Sequence, residues 1–224
     1  MLKLNRTVYI LESNYVEPRM NIERPVTRKM RKYEQVLDGA REVFLRDGFE
    51  GASVDEIARA AGVSKATLYS YFPDKREMFM EMACVQCEQQ AETMLQEIDQ
   101  CAPVAEVLER AARGLLQIIL SEFGVRMFRI CVAEADRFPE LGQQFYETGP
   151  AMGQRLLADF LRLACERGEL EISDFSMAAA QFQELCKADV FMRLAFGVTT
   201  EFSQAEIDHV VTEAVATFMA RYGT

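Results

Sequence analysis

From residue 27 to the C-terminus, apolar positions recur every three or four residues, the repeat of helices that bury one side. Val36, Leu37, Ala40, Val43 and Phe44 form the first stripe, and Gly48 follows as its stop. A second, short stripe holds Val54, Ile57, Ala58 and Ala61. Ser53 and Glu56 stand ahead of it in a capping-box arrangement, and Gly62 ends it. Ser64 then caps a third helix, with Val63 and Leu68 at the positions of a hydrophobic staple. Leu68 and Phe72 share the inner side of that helix, and Pro73 closes it. Asp74 caps a fourth helix that is predicted to run to about Gln100.

Past Pro103 the pattern predicts helices near 104–121, 124–137, 140–148, 151–167, 174–196 and 204–222. Pro103, Gly124, Pro139, Gly149-Pro150, Gly168 and Gly197 mark the joints. No period-two alternation and no internal repeat interrupts the series, so the class is all-α. Residues 1–26 lack the periodicity and read as an arm, with a short extended piece at Thr7–Leu11. The division that follows is an arm over 1–26, a helix-turn-helix domain over 27–74, and a helical domain over 75–224.

Composition narrows the setting. No apolar run among the 224 residues approaches the ~18 of a membrane span, and the N-terminus has no secretory pattern, so the expected location is cytoplasmic. The six cysteines fall mostly inside helical stripes and read as reduced, largely buried small apolar residues. The net charge of −10 is unevenly spread: the chain through Met80 carries +2 and the remainder −12. One end tolerates a polyanion and the other repels it.

Two short helices joined by a glycine turn are the signature of a helix-turn-helix. On a helical wheel of residues 64–72, Leu68 and Phe72 point inward, while Ala66, Thr67 and Ser70 point away and Lys65, Tyr69 and Tyr71 flank the seam. Small outward residues let a helix approach base edges in a major groove, and tyrosine hydroxyls and lysines at the flanks suit phosphates. The helix starts at Ser53 and at Asp74–Lys75 offer further N–H groups to phosphates. Arg28, Lys29, Arg31 and Lys32 add long-range attraction.

The run ASVDEIARAAGVSKATLYSYFPDKREMF, residues 52–79, resembles the DNA-binding domain of the tetracycline-repressor (TetR) family, and the likeness extends back through AREVFLRDGFEG, residues 40–51. FRICVAEADRFPELGQQFYETGP, residues 128–150, is similar to the AefR-like type of C-terminal domain in that family. The resemblance implies a homodimeric regulator, most simply a repressor, that binds a palindromic operator and leaves it when a small hydrophobic effector binds. It implies no enzyme activity and no cofactor or metal. The DNA-contact candidates are Ser53, Ser64, Lys65, Ala66, Thr67, Tyr69, Ser70, Tyr71 and Lys75. It also implies an effector pocket between the fourth helix and the helices near 124–137, 151–167 and 174–196, for which Met127, Phe128, Glu134, Met152, Phe160, Phe182 and Cys186 are candidates. Arg126, Arg129 and Gln183 join Glu134 as possible orienting polar groups.

The last two helices read as a dimer interface, with Ile207, Val210, Val211, Ala214, Val215 and Phe218 on the stripe that meets a second copy. Two readings stand beside this one. Cys84-Val-Gln-Cys87 is a C-x-x-C that could sense oxidants. The chain could also be a helical enzyme or carrier whose tyrosine helix merely packs. Glu206 and His209 spell half of a carboxylate di-iron motif, but the single histidine leaves it without a second half.

Overall fold

The computed structural model describes residues 28–97 and 102–224. The proposed arm over 1–26, the end of the fourth helix near Gln100, and Cys101 lie outside the described residues. Eleven helices make up the described chain: α1 Arg28–Gly51, α2 Val54–Ala60, α3 Lys65–Tyr69, α4 Lys75–Glu97, α5 Val104–Ile119, α6 Glu122–Glu134, α7 Pro139–Thr148, α8 Pro150–Glu166, α9 Phe175–Lys187, α10 Val190–Ala195 and α11 Gln204–Tyr222.

Local chemistry accounts for most of the helix starts. Ser53 Oγ accepts the Glu56 N–H at 3.2 Å, Ser64 Oγ accepts the Thr67 N–H at 3.1 Å, and Asp74 Oδ1 accepts the Glu77 N–H at 2.8 Å. The capping box expected at Ser53 is only half formed: Ser53 Oγ accepts the Glu56 N–H and donates to the Glu56 carboxylate, without the return bond from the Ser53 backbone N–H that completes a box. A complete box sits instead at Ser203 and Glu206, ahead of α11. α1 is kinked at Gly48, whose φ of 73° no other residue type adopts cheaply. The chain beyond the kink folds back far enough to bury Phe49.

Two apolar cores hold the helices. The first joins Val36, Val43, Phe44, Ile57, Leu68 and Phe72 to Met78, Phe79 and Met82 of α4, and runs on through Phe123, Met127 and Cys131 of α6 to Leu141 of α7. Packing is therefore continuous from the helix-turn-helix into α6 and α7. The second core gathers α5, α8, α9, α10 and α11 around Leu108, Leu116, Leu161, Phe182, Val211 and Phe218.

Two expectations change. The helix predicted over 174–196 is broken: α9 ends at Lys187, and Ala188–Asp189 form a tight turn before α10. There the Val190 N–H reaches the Ala188 carbonyl at 2.7 Å, and Asp189 is held at φ 63°, ψ −56°. The break escaped the pattern because neither residue is glycine or proline. The α11 stripe predicted to meet a second copy is spent inside the protomer: Val211, Ala214 and Phe218 are buried in the second core, with Ile207, Val210 and Val215 packed against it. Glu206 is occupied as the capping partner of Ser203 and as an acceptor of Arg193 at 3.3 Å, while His209 is exposed.

Candidate nucleic-acid interface

α2 and α3 meet α1 in a compact arrangement whose tightest point is Gly39. A Cβ there would lie 2.6 Å from the backbone nitrogen of Ala61, so only glycine lets α2 sit this close to α1. Gly62, at φ 63°, then turns the chain into α3. Leu68 is fully buried and Phe72 nearly so, which anchors α3 from behind. Lys65, Ala66, Tyr69 and Ser70 are exposed, with Tyr69 at 50%, and Thr67 is half-buried. Tyr69 carries its ring and hydroxyl half into water on an otherwise small, polar helix surface.

The nine predicted contact residues separate into two groups. Ser64, Lys65, Ala66, Tyr69 and Ser70 lie on the outward surface with Thr67 at its edge. Lys65 forms an exposed ion pair with Asp55 of α2, so its ammonium is parked at the seam between the two helices. The Ser70 hydroxyl donates to the Thr67 carbonyl at 2.6 Å, and those of Ser64 and Thr67 share a 2.9 Å bond. The other three are built into the scaffold. Ser53 caps α2. Tyr71 packs edge-on against Tyr33 of α1, with ring centroids 5.9 Å apart. Lys75 Nζ donates to the carbonyls of Ala52 at 3.2 Å and Glu50 at 3.4 Å, and lies 4.7 Å from the Phe49 ring. It closes the C-terminal end of α1, a role that depends on the kink at Gly48 and has no local signature.

Contacts that sequence reasoning missed tie this unit to the rest. The Tyr33 hydroxyl donates to Glu81 of α4 at 2.5 Å, and the Tyr33 ring stacks on Phe72 at 5.7 Å. Phe138, at the α6–α7 corner, meets Phe49 at 5.6 Å, with the guanidinium groups of Arg137 and Arg76 at 4.9 and 5.8 Å from its ring. Arg137 also pairs with Glu50, and Arg76 with Glu140 of α7. Arg126 donates to the Leu45 carbonyl of α1, and Arg129 to those of Leu194 and Ala195 at 2.6 and 3.1 Å. Both arginines, candidates for orienting an effector, hold backbone carbonyls of other helices.

The predicted effector residues are not brought together. Met127 is buried in the first core; Phe160, Phe182 and Cys186 are buried in the second. Phe128 packs edge-on against Phe191 at 5.0 Å, while Glu134 and Met152 are half-buried on α6 and α8. Gln183 reaches toward the Pro150 carbonyl at 3.5 Å. A crevice does lie beside α4, between it and α6 and α7, and none of the seven lines it. Its walls include Phe79, Met80, Cys84, Cys131, Gln144 and Phe145; its atom-free space of about 170 Å³ is partly open to solvent, and it is too narrow for a water molecule. α7 closes it through Leu141, Gln144 and Phe145.

Comparison with known proteins agrees with this architecture. Residues 36–82 match the family described as bacterial regulatory proteins, tetR family, and residues 106–224 match the AefR-like transcriptional repressor C-terminal domain. The chain is 33% identical over 81 residues to the fatty acid metabolism regulator protein of Bacillus subtilis, covering 36% of this chain and 42% of the relative. The chain spans 32–42% of the length of the first curated relatives it matches. Among solved structures, a TetR-family transcriptional regulator from Mesorhizobium loti superposes with a TM-score of 0.81 at 28% identity, over 88% of this chain and all of that one. The flavonoid-responsive regulator FrrA superposes with a TM-score of 0.71 at 33% identity, over 86% of this chain and 97% of that one. No helix among the described residues is long and apolar enough to cross a membrane. An exposed, rigidly backed recognition helix, an all-α C-terminal bundle and two domain models that together cover most of the chain lead to one conclusion: the protein belongs to the TetR family of transcriptional regulators, with an AefR-like C-terminal domain.

Proposed function

We propose that the protein is a homodimeric repressor that holds a palindromic operator and releases it when a small apolar effector binds. The observation that carries this reading is the exposed side of α3, where Lys65, Ala66, Tyr69 and Ser70 face solvent while Leu68 and Phe72 fix the helix from behind. A helix so presented enters a major groove, with Ala66 and Thr67 near base edges and Lys65, Tyr69 and Ser64 at phosphates. Two copies related by a two-fold axis would place their α3 helices one DNA turn apart, roughly 34–36 Å.

The effector site in this reading is the crevice between α4, α6 and α7, because α4 begins directly after the helix-turn-helix and α7 is tied to it through Arg76 and Glu140. The space admits no water, so an effector must part α7 from α4 to enter. That movement strains the contacts of Phe138 and Arg137 with α1 and favours a second arrangement of α4. An apolar lining suits an apolar compound, in keeping with the fatty-acid and flavonoid names of two similar proteins.

The test begins by selecting duplexes from random DNA with the full chain. Selected sites should be palindromic, and affinity should fall steeply with salt. Tyr69→Phe and Lys65→Ala should weaken binding with the fold intact. Failure to enrich any sequence, or binding that ignores salt, removes the reading in favour of a helical enzyme or carrier.

A further inference from the structure

α8 and the start of α9 form a groove of about 420 Å³ that is open to solvent. It shares no residue with the crevice beside α4, and its size lies within the range of small-ligand sites, roughly 300–1,000 Å³. Arg155 and Arg162 line it from α8, and Phe175 and Ser176 from the first turn of α9. We propose that this groove is a binding site for a flat aromatic monocarboxylate, with Arg155 as the anchor of the carboxylate. Nothing in this site depends on the crevice beside α4 holding an effector.

Charge selects the anion. The chain beyond Met80 carries −12, and carboxylates hold most of its arginines: Glu106 holds Arg110, Glu109 and Asp208 hold Arg113, and Glu50 holds Arg137. Among the described residues Arg155 has no carboxylate partner. Its guanidinium donates to the Glu147 carbonyl at 3.3 Å and keeps further N–H groups to offer as a fork. An exposed arginine alone is ordinary; one that lines a groove beside a second guanidinium and an aromatic ring has the parts of a carboxylate site. Arg162 is paired with Asp159 at 2.8 Å, and Asp159 also lines the groove. Two guanidinium groups against one carboxylate leave the lining at +1, which suits a monoanion better than a phosphate dianion. Asp174 caps α9 and offsets the positive end of that helix, so the anchor is the guanidinium and not a helix dipole.

Shape selects a flat ring system. Arg155 and Arg162 stand two turns apart on α8, about 10 Å along its axis. A carboxylate on Arg155 therefore carries its rings toward Phe175. The Arg162 guanidinium already lies 5.0 Å over the Phe175 ring, and a second aromatic ring extends that stack. Between the two arginines the α8 lining includes Ala158, whose short side chain leaves space for a ring plane along the helix. Ser176 Oγ accepts an N–H from Gln154 at 3.0 Å, which leaves the hydroxyl hydrogen to donate into the groove.

The experiment uses the full chain, with 2-naphthoate as the probe and 2-naphthylmethanol as its uncharged counterpart, and reads binding by titration calorimetry. The expected result is one naphthoate per chain with a Kd on the order of 10⁻⁴ M, which an open groove gives a ligand of this size, and binding of the alcohol weaker by about tenfold or more. Arg155→Gln should weaken naphthoate about tenfold or more without a change in melting, because Arg155 is exposed. Arg155→Lys keeps the charge and loses the fork, so its affinity should fall between the two. No binding to the folded wild type at millimolar naphthoate overturns the proposal. So does equal affinity for the alcohol, or an Arg155→Gln protein that binds as tightly as wild type. If naphthoate binds only at dilutions where the chain sediments as a monomer, a second copy covers the groove and the ligand site falls. Binding is read without DNA, so loss of this site leaves the operator and crevice readings standing.

Discussion

Leu68 and Tyr69 are neighbours in a five-residue helix, and their environments assign them opposite work. Leu68 is sealed in the first core, so Leu68→Ala should cost about 2–5 kcal/mol of stability and abolish DNA binding by loosening α3. Tyr69 is half exposed, so Tyr69→Phe should leave thermal melting unchanged while weakening operator binding by roughly 0.5–1.5 kcal/mol, the worth of one hydrogen bond. Titration calorimetry and melting on the two variants separate the roles. Lys65 poses a subtler case because Asp55 already holds it. Lys65→Ala should reduce the slope of log affinity against log salt by about one. Asp55→Asn should do the reverse of a loss, raising affinity by releasing the ammonium to the phosphates. An Asp55→Asn protein that binds more weakly would mean that the pair positions Lys65 rather than competing for it.

At the scale of helices, what was legible in the sequence was whatever is decided within a few residues. Caps at Ser53, Ser64 and Asp74 and the turn at Gly62 act over one helical turn, and all are present. The apolar stripes predicted which side of α11 is buried, but periodicity carries no record of the partner, and Val211 and Phe218 pack against their own chain. The crevice beside α4 and the role of Lys75 arise where distant helices meet, so no local spacing foretells them. The α9–α10 break belongs to the same class. Asp189 takes a backbone conformation that favours glycine and is tied to Arg193 at 2.9 Å. Asp189→Gly should therefore be more stable than Asp189→Ala by about 1 kcal/mol, the reverse of their order in a helix interior, as melting of the two variants would show. A second element-level test concerns Glu169, which accepts the Val104 N–H at 2.8 Å and pairs with Arg167, joining the loop after α8 to the start of α5. The Val104 N–H, and after it Arg167, holds its carboxyl below the ordinary range. A depressed carboxyl contributes stability above its unfolded value and loses it as pH falls through the folded one. Melting temperature measured against pH should thus fall less steeply on the acid side for Glu169→Gln than for wild type.

For the whole molecule, charge and symmetry set the terms. The chain beyond Met80 carries −12, so a repressor built from it must keep that mass away from the duplex while presenting two recognition helices. Because the apolar stripe of α11 is used internally, a two-fold interface through this helix must use its other side, where Ala205, His209, Thr212, Ala216 and Ala220 are exposed at helical spacing. Small residues there allow two helices to approach closely, and exposed Glu213 stands at the edge of the same face. Ala216→Arg puts a long side chain and a like charge into both copies at once. It should leave the circular dichroism and melting of the protomer intact, since Ala216 is exposed. Sedimentation should then report a 25.5 kDa monomer. Operator affinity should fall by at least about a hundredfold, since a second half-site contact made through a shared body multiplies affinity by 10²–10⁴. Affinity for an isolated half-site should hardly change, because α3 is untouched. If the variant still sediments as a dimer, two copies join through another surface. If it is monomeric yet binds the palindrome as tightly as wild type, pairing in solution is not what sets the spacing of the recognition helices.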